Sequence, residues 1–266
     1  MEKRIINKSL FVDYKKRQRY SLAKHVEKLR NPSDGSYKFA FTRSSIFSSM
    51  IEGSTIDLDN YLFNKENEYE DEGMLQIEDL IKAYEFAKTH ALTLDNVLKA
   101  HGILSNNFHI SDKYKGEIRD REVYIRSWNG KILYKGCPTN QLRKEIETLF
   151  LEIDQLKRER SELSIDEAFF YAAYIHLAFV NIHPFADGNG RVSRLVEKWA
   201  LVALTENLYC WKIPSEINYW IKREDYHATL NLLGKKYKDL DYSKSLHFLL
   251  LLPTSFGISN KFLNNR

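Results

Sequence analysis

Apolar residues recur at three- and four-residue spacing along most of this chain, the period of helices with one buried face. Leu75, Ile77, Leu80, Ile81, Tyr84 and Ala87 mark one such face. Leu94, Val97, Leu98, His101 and Leu104 mark a second, opened by Thr93 as N-cap. A third spans Leu142 to Leu156. Ser164-Ile165-Asp166-Glu167 has the form of a capping box, and the helix it opens carries Phe169, Ala172, Ala173, His176, Leu177 and Val180. His176 falls on that apolar face, so it reads as a hydrogen-bonded core histidine. A shorter helix is predicted from about Ser44 to Ile51, stopping at Gly53. Another follows Gly190, with Leu195, Val196 and Trp199 on its inner side, and one more holds Tyr226, Leu230 and Leu233.

Between these patterns lie weaker stretches. Residues 1–35 are basic and Tyr-rich and break at Asn31-Pro32-Ser33-Asp34-Gly35. Asn64 to Gly73 is acidic and reads as an exposed connection. Glu206 to Trp220 reads as linker and turn, and the last thirty residues hold one helix at most. The period changes to two in one place only. Val123-Tyr124-Ile125-Arg126-Ser127-Trp128 leads through Asn129-Gly130 into Lys131-Ile132-Leu133-Tyr134-Lys135, and an Asn-Gly pair between β-prone runs is a strong hairpin signal. The expected fold is mainly α with one small β-hairpin.

Composition narrows the setting. At 266 residues the chain can bury a sizeable core, as one large domain or one domain with an appendage. Forty basic against 36 acidic side chains leave a net charge of +4, too mild to argue for nucleic acid. Cys137 and Cys210 form neither a metal-spaced cluster nor a disulfide framework. The first residues have no apolar signal core, and the run from Leu246 to Pro253 is too short to cross a bilayer. These features read as a cytoplasmic protein with no membrane partner.

The chemistry is concentrated in His183-Pro184-Phe185-Ala186-Asp187-Gly188-Asn189-Gly190-Arg191-Val192-Ser193-Arg194. Glycines let backbone N–H groups approach an anion, and a glycine turn opening a helix aims unpaired N–H groups and the positive dipole end at a bound phosphate. Arg191 and Arg194 lie three apart, on one face of that helix, and can fork phosphate oxygens. Asp187 is a hard oxygen ligand suited to Mg²⁺. His183 titrates near neutrality and can take a proton from an attacking hydroxyl. Pro184 fixes the chain beside it, and Phe185 reads as a core anchor.

This segment resembles the signature of the Fic (filamentation induced by cAMP) family, H-P-F-x-[D/E]-G-N-[G/K]-R-x-x-R, at every defined position. The resemblance implies a Fic/Fido helical core with a hairpin flap, and transfer of AMP from ATP to a Ser, Thr or Tyr hydroxyl of a target protein, this chain itself included. It implies His183 as base, Asp187 as Mg²⁺ ligand and Gly188 to Arg194 as the nucleotide cradle. Tyr226, on a later helix, is counted with the nucleotide-binding residues. Val123, Tyr124 and Ile125 fall where the family's flap lines up its target by strand addition. The core is placed at about residues 95–235, after an N-terminal helical region of residues 1–94 and before an extension of residues 236–266. That extension is too short for the winged-helix domain found in many bacterial relatives, which also argues against nucleic acid.

A second segment, Ser48-Ser49-Met50-Ile51-Glu52-Gly53, matches the family's inhibitory motif [S/T]-x-x-x-E-[G/N]. Its place ahead of the core resembles the group called class II, with an inhibitory helix at about 44–53. A carboxylate at a helix C-terminus is disfavoured by the dipole, so Glu52 fits best beside a cation. Gly53 fits a left-handed cap. The resemblance names Arg194 as the cation, in space needed by the γ-phosphate. Ser48, one turn back, is expected to orient the Glu52 carboxylate. Three other readings stand beside AMP transfer: transfer of UMP or GMP on the same fold, removal of AMP from a modified protein, and a Fic-like binding module without activity. Gly188 and Gly190, with Arg194 kept, depart from the Ala and Lys of relatives that phosphorylate.

Overall fold

The capping and burial signals become a set of helices packed around one buried pair. The computed structural model describes residues 5–30, 37–126 and 129–258. The helices are, in order, α1 (Phe11–Arg17), α2 (Leu22–Lys28), α3 (Tyr37–Ile51), α4 (Leu58–Glu66), α5 (Glu72–Thr89) and α6 (Leu94–Leu104). The hairpin strands β1 (Tyr124–Arg126) and β2 (Ile132–Lys135) follow. Then come α7 (Thr139–Arg158), α8 (Ile165–Ile182), α9 (Asn189–Thr205), α10 (Ser215–Ile221), α11 (Arg223–Leu232) and α12 (Leu246–Leu249). The fold is mainly α with a small antiparallel hairpin, as expected.

The α8–α9 pair is the centre. α8 is buried from Ala168 to Ile182, and α9 is buried on nearly every position from Arg191 to Leu201. Ser164 Oγ accepts from Glu167 N–H, and Glu167 returns the bond to Ser164 N–H at 2.9 Å, so the capping box starts α8 as expected. α7 packs against both helices of the pair, while α3, α5 and α6 pack against α9. Thr93 caps α6 through Asn96 N–H at 3.2 Å. His176 is buried as a core histidine, between Glu197 and the Tyr226 hydroxyl, at 2.8 and 3.0 Å.

Several weak stretches are more ordered than their patterns predict. α3 begins at Tyr37 rather than near Ser44, because Ala40 and Phe41 extend its buried face. The acidic connection shrinks to residues 67–71: Asp57 caps α4 through Asn60 N–H, and Asp71 caps α5 through Met74 N–H. Residues 208–221 form a 3₁₀ turn and α10, with Cys210, Trp211, Ile213, Ile217 and Tyr219 buried. Burial on all sides leaves no amphipathic period to detect. The break at Asn31 to Gly35 lies outside the described residues, as do Ser127 and Trp128 of the hairpin. Within the hairpin, Tyr124 pairs with Lys135 and Ile125 with Tyr134. Gly130 takes a positive φ of 81° in the turn. The Tyr134 hydroxyl donates to the Asn181 carbonyl at 2.6 Å, which ties the hairpin to the end of α8. Among the described residues no helix is long and apolar enough to cross a membrane.

Candidate active site

α8 ends by delivering a histidine into a cavity. His183 occupies the left-handed region (φ 58°, ψ 59°), rare for a non-glycine residue, and its N–H closes the helix on the Phe179 carbonyl at 3.0 Å. Its Nδ1 lies 3.0 Å from the Val180 carbonyl. A carbonyl only accepts, so Nδ1 carries the proton and Nε2 keeps its lone pair. Burial holds the imidazole below its ordinary pKa of 6.5, so the base form prevails at neutral pH.

The turn after His183 is held from within and from behind. The Asn189 amide clips it, accepting from Phe185 N–H at 2.8 Å and donating to the Phe185 carbonyl at 2.9 Å. Gly188 takes φ 80° as N-cap of α9, where a Cβ would come within 2.9 Å of the Phe108 ring. His101 Nδ1 accepts from Gly116 N–H at 2.9 Å, so its Nε2–H donates to the Asp187 carbonyl at 3.0 Å. Its ring stacks on Phe185, centroids 3.7 Å apart, and burial lowers its pKa to about 4. Arg119, 3% exposed, spends its guanidinium on the carbonyls of His183, Arg121 and Cys137 at 2.6–2.7 Å. His101 and Arg119 carry the loop geometry, and neither belongs to a motif. Arg119 sits between α6 and β1, where spacing gives no signal.

The second segment closes on the first. α3 ends with Gly53 at φ 101°, Gly53 N–H on the Met50 carbonyl and Ser54 N–H on the Ser49 carbonyl, a left-handed cap as expected. Glu52, at the C-cap, accepts from Arg194 Nη2 at 2.6 Å. Arg194 is fully buried, while 37% of the Glu52 side chain stays exposed. Burial pushes the Glu52 carboxyl up, but the Arg194 guanidinium outweighs it and holds it below the ordinary range. Ser48 acts differently from expectation. Its hydroxyl and its carbonyl both accept from Arg194, each at 2.9 Å, so it orients the arginine and not the carboxylate. The Glu52 carboxylate also lies on Gly190: a Cβ there would meet Glu52 Oε1 at 2.1 Å.

The two arginines diverge. Arg191 stacks over the Phe108 ring at 3.8 Å and donates to Gln76 at 3.2 Å, whereas Arg194 reaches Ser48, Glu52 and, at 3.5 Å, the Tyr226 hydroxyl. Val192 packs in the core and Ser193 donates back to the Asn189 carbonyl at 2.5 Å, so neither side chain faces the cavity. The cavity, of about 540 Å³, brings together Glu52, His183, Asp187, Gly188, Asn189, Gly190 and Tyr226, with Val123, Tyr124 and Ile125 as its hairpin wall. Asp187 is exposed at its mouth. One carboxylate oxygen accepts from Gly188 N–H at 2.6 Å.

Residues 91–201 match the Fic/DOC family. The chain is 27% identical over 120 residues to a Fido domain-containing protein of Dictyostelium discoideum, covering 45% of this chain and 78% of that one. A Fic family protein from Desulfovibrio desulfuricans G20 superposes with a TM-score of 0.69 at 19% identity, over 95% of this chain and 74% of that one. Fic-1 from C. elegans superposes with a TM-score of 0.66 at 17% identity, over 92% and 71%. The fold is therefore that of Fic proteins, and membership of the Fic/Fido family is supported by the matched segment, which contains the whole His183–Arg194 motif. Domains of this family commonly transfer nucleotide or other groups to proteins. Glu52 and its helix lie outside the matched segment.

Proposed function

We propose that this chain is a Mg²⁺-dependent protein adenylyltransferase held in check by its own Glu52. The observation that carries this reading is the Glu52 carboxylate lying on Gly190 while paired with Arg194, where an anionic phosphate would otherwise sit. ATP is the substrate. The glycine turn and α9 N-terminus hold its phosphates, with Tyr226 and Arg194 beside them. His183 Nε2 takes the proton of a Ser, Thr or Tyr hydroxyl. The hydroxyl oxygen bonds to the α-phosphorus, the bridge to the β-phosphate breaks, and pyrophosphate carries away the electron pair. Catalysis is then mostly positioning and charge stabilisation.

Asp187 is the residue that would hold Mg²⁺. It is exposed at the cavity mouth, with a hard oxygen donor left beyond its bond to Gly188 N–H. The ion would neutralise phosphate charge when bound. The working location of such an enzyme is the cytoplasm, and its partner is a protein bearing the acceptor hydroxyl. Transfer of UMP or GMP from the same cradle is the neighbouring reading, and a glutamate poised over the glycine turn also suits removal of AMP.

The test is incubation of wild type and Glu52→Gly with each of ATP, UTP, GTP and CTP plus Mg²⁺, read by intact-protein mass spectrometry. An AMP adduct that grows in the variant supports the proposal. A UMP or GMP adduct replaces the nucleotide, and nucleotide binding with no adduct favours a module without activity.

A further inference from the structure

Among the described residues, β1 presents an open edge. The outer side of β2 is engaged at its Lys135 end, where Lys135 N–H donates to the Lys235 carbonyl at 2.9 Å and Lys135 forms a parallel bridge with Lys236. The outer side of β1 has no backbone partner among the described residues, and Tyr124, Ile125 and Arg126 are all exposed. Tyr124 and Ile125 also line the cavity that holds His183. A segment that adds to β1 therefore passes its side chains over that cavity.

The surroundings of that edge are basic. From residue 119 to 135 the chain holds Arg119, Arg121, Arg126, Lys131 and Lys135 against Asp120 and Glu122. Both carboxylates are engaged: Asp120 by Lys113 at 3.3 Å and Tyr114 at 2.9 Å, Glu122 by Lys135 at 3.3 Å and Thr139 N–H at 3.0 Å. Arg121 and Arg126 are exposed, one three residues ahead of β1 and the other at its end. They lie against rings rather than carboxylates, Arg121 over Tyr114 at 4.7 Å and Arg126 over Tyr124 at 5.7 Å. Beyond β2, Lys235, Lys236 and Lys238 are exposed and join no ion pair among the described residues. The acidic groups that line the cavity are Glu52, which Arg194 holds, together with Asp187 and with Glu122, already engaged by Lys135 and Thr139.

We infer that the segment docking on β1 is acidic: an extended stretch of a partner protein with Asp or Glu on both sides of its central residue, and an apolar side chain against Tyr124 and Ile125. Arg121 and Arg126 are five residues apart, at most roughly 17 Å if that stretch were fully extended, so the carboxylates fall within about two or three residues either side of the centre. A polynucleotide would also meet these cations, but it cannot satisfy the alternating N–H and C=O groups of an open strand edge, whereas a peptide backbone can. That the central residue is a hydroxyl acceptor rests on the transfer reading; the charge preference does not.

The experiment is fluorescence anisotropy with the full chain, without nucleotide, on three labelled peptides: a central Ser and apolar neighbour flanked by Asp/Glu, by Gly/Gln or by Lys. The acidic peptide should bind about tenfold tighter than the neutral one, the basic peptide weakest, and the gap should narrow with salt. Arg121→Glu with Arg126→Glu should invert the order, while Arg126→Lys keeps it. Both arginines are exposed, so the melting temperature should hold. Equal binding of the three peptides, or an order that survives charge reversal, overturns the inference. So does a single-stranded oligonucleotide that binds tighter than the acidic peptide and is lost on the same reversal. Acidic-peptide binding with no nucleotide transfer would sink the transfer reading alone; transfer indifferent to peptide charge would sink this inference alone.

Discussion

Replacing Glu52 with glycine should make the protein more active, against the usual effect of changing a site residue. The change removes one hydrogen bond and one ion-pair contact from Arg194 and clears the carboxylate from Gly190. Arg194 is not left bare, because the Ser48 hydroxyl, the Ser48 carbonyl and Tyr226 still accept from it. With one partner fully buried and the other 37% exposed, the pair lies between exposed and buried ion pairs, at about 1–2 kcal/mol. If that interaction competes with the γ-phosphate for one guanidinium, its loss should tighten productive ATP binding by roughly 5- to 30-fold. Relief of the block over Gly190 adds to that figure. The assay is initial-rate nucleotide transfer, to the protein itself or an added acceptor, at ATP concentrations below saturation. Chemical denaturation alongside should show a stability loss of about 1–2 kcal/mol. Arg194→Ala breaks the same pair but should not activate, and the double variant should behave like Arg194→Ala. Unchanged transfer in Glu52→Gly across ATP, UTP, GTP and CTP would refute the brake. So would activation by Arg194→Ala.

His183→Ala should reduce transfer by about 10²–10⁴-fold while isothermal titration shows near-normal ATP affinity; transfer within a few-fold of wild type removes His183 as base. Since burial lowers the His183 pKa, its base form persists as pH falls through 6.5, and the acid limb of kcat/KM in the Glu52→Gly variant should lie below that value. Asp187→Ala should weaken Mg²⁺-dependent ATP binding and transfer together, an effect that EDTA reproduces on wild type, and full activity in excess EDTA contradicts it. Arg119→Ala strips donors from three carbonyls and should cost about 2–4 kcal/mol in denaturant unfolding, with a melting temperature unchanged from wild type as the opposing result.

The fold class, the Thr93 cap and the Ser164–Glu167 capping box were legible because each depends on a few neighbouring residues. The same holds for Gly53 and Gly188, whose positive φ is what glycine is there to permit. α10 and the start of α3 were not legible, since they are buried by distant partners and show no one-sided pattern. Within the site, the His183–Arg194 motif named the floor of the cavity, from His183 through Ala186 to Gly190, and the inhibitory and flap segments named Glu52 and the hairpin wall. The resemblance named Arg194 as the partner of Glu52, but nothing in the sequence indicated that Arg191 turns away to Gln76 and Phe108. Ser48 was singled out, but its bonding partner depended on where α3 crosses α9. Arg119 and His101 act through backbone carbonyls, and a carbonyl is present at every residue, so no side-chain pattern marks such a contact.

The central claim is that an adenylyl group moves and Glu52 restrains it. The most direct measurement compares ATP labelled at the α-phosphate with ATP labelled at the γ-phosphate, using Glu52→Gly with Mg²⁺ and following label that stays with protein after denaturation. Protein-bound label from the α position alone, abolished by His183→Ala and weaker in wild type, is the expected result. Label from the γ position would mean phosphoryl transfer and contradict the account, as would equal α-labelling of wild type and variant.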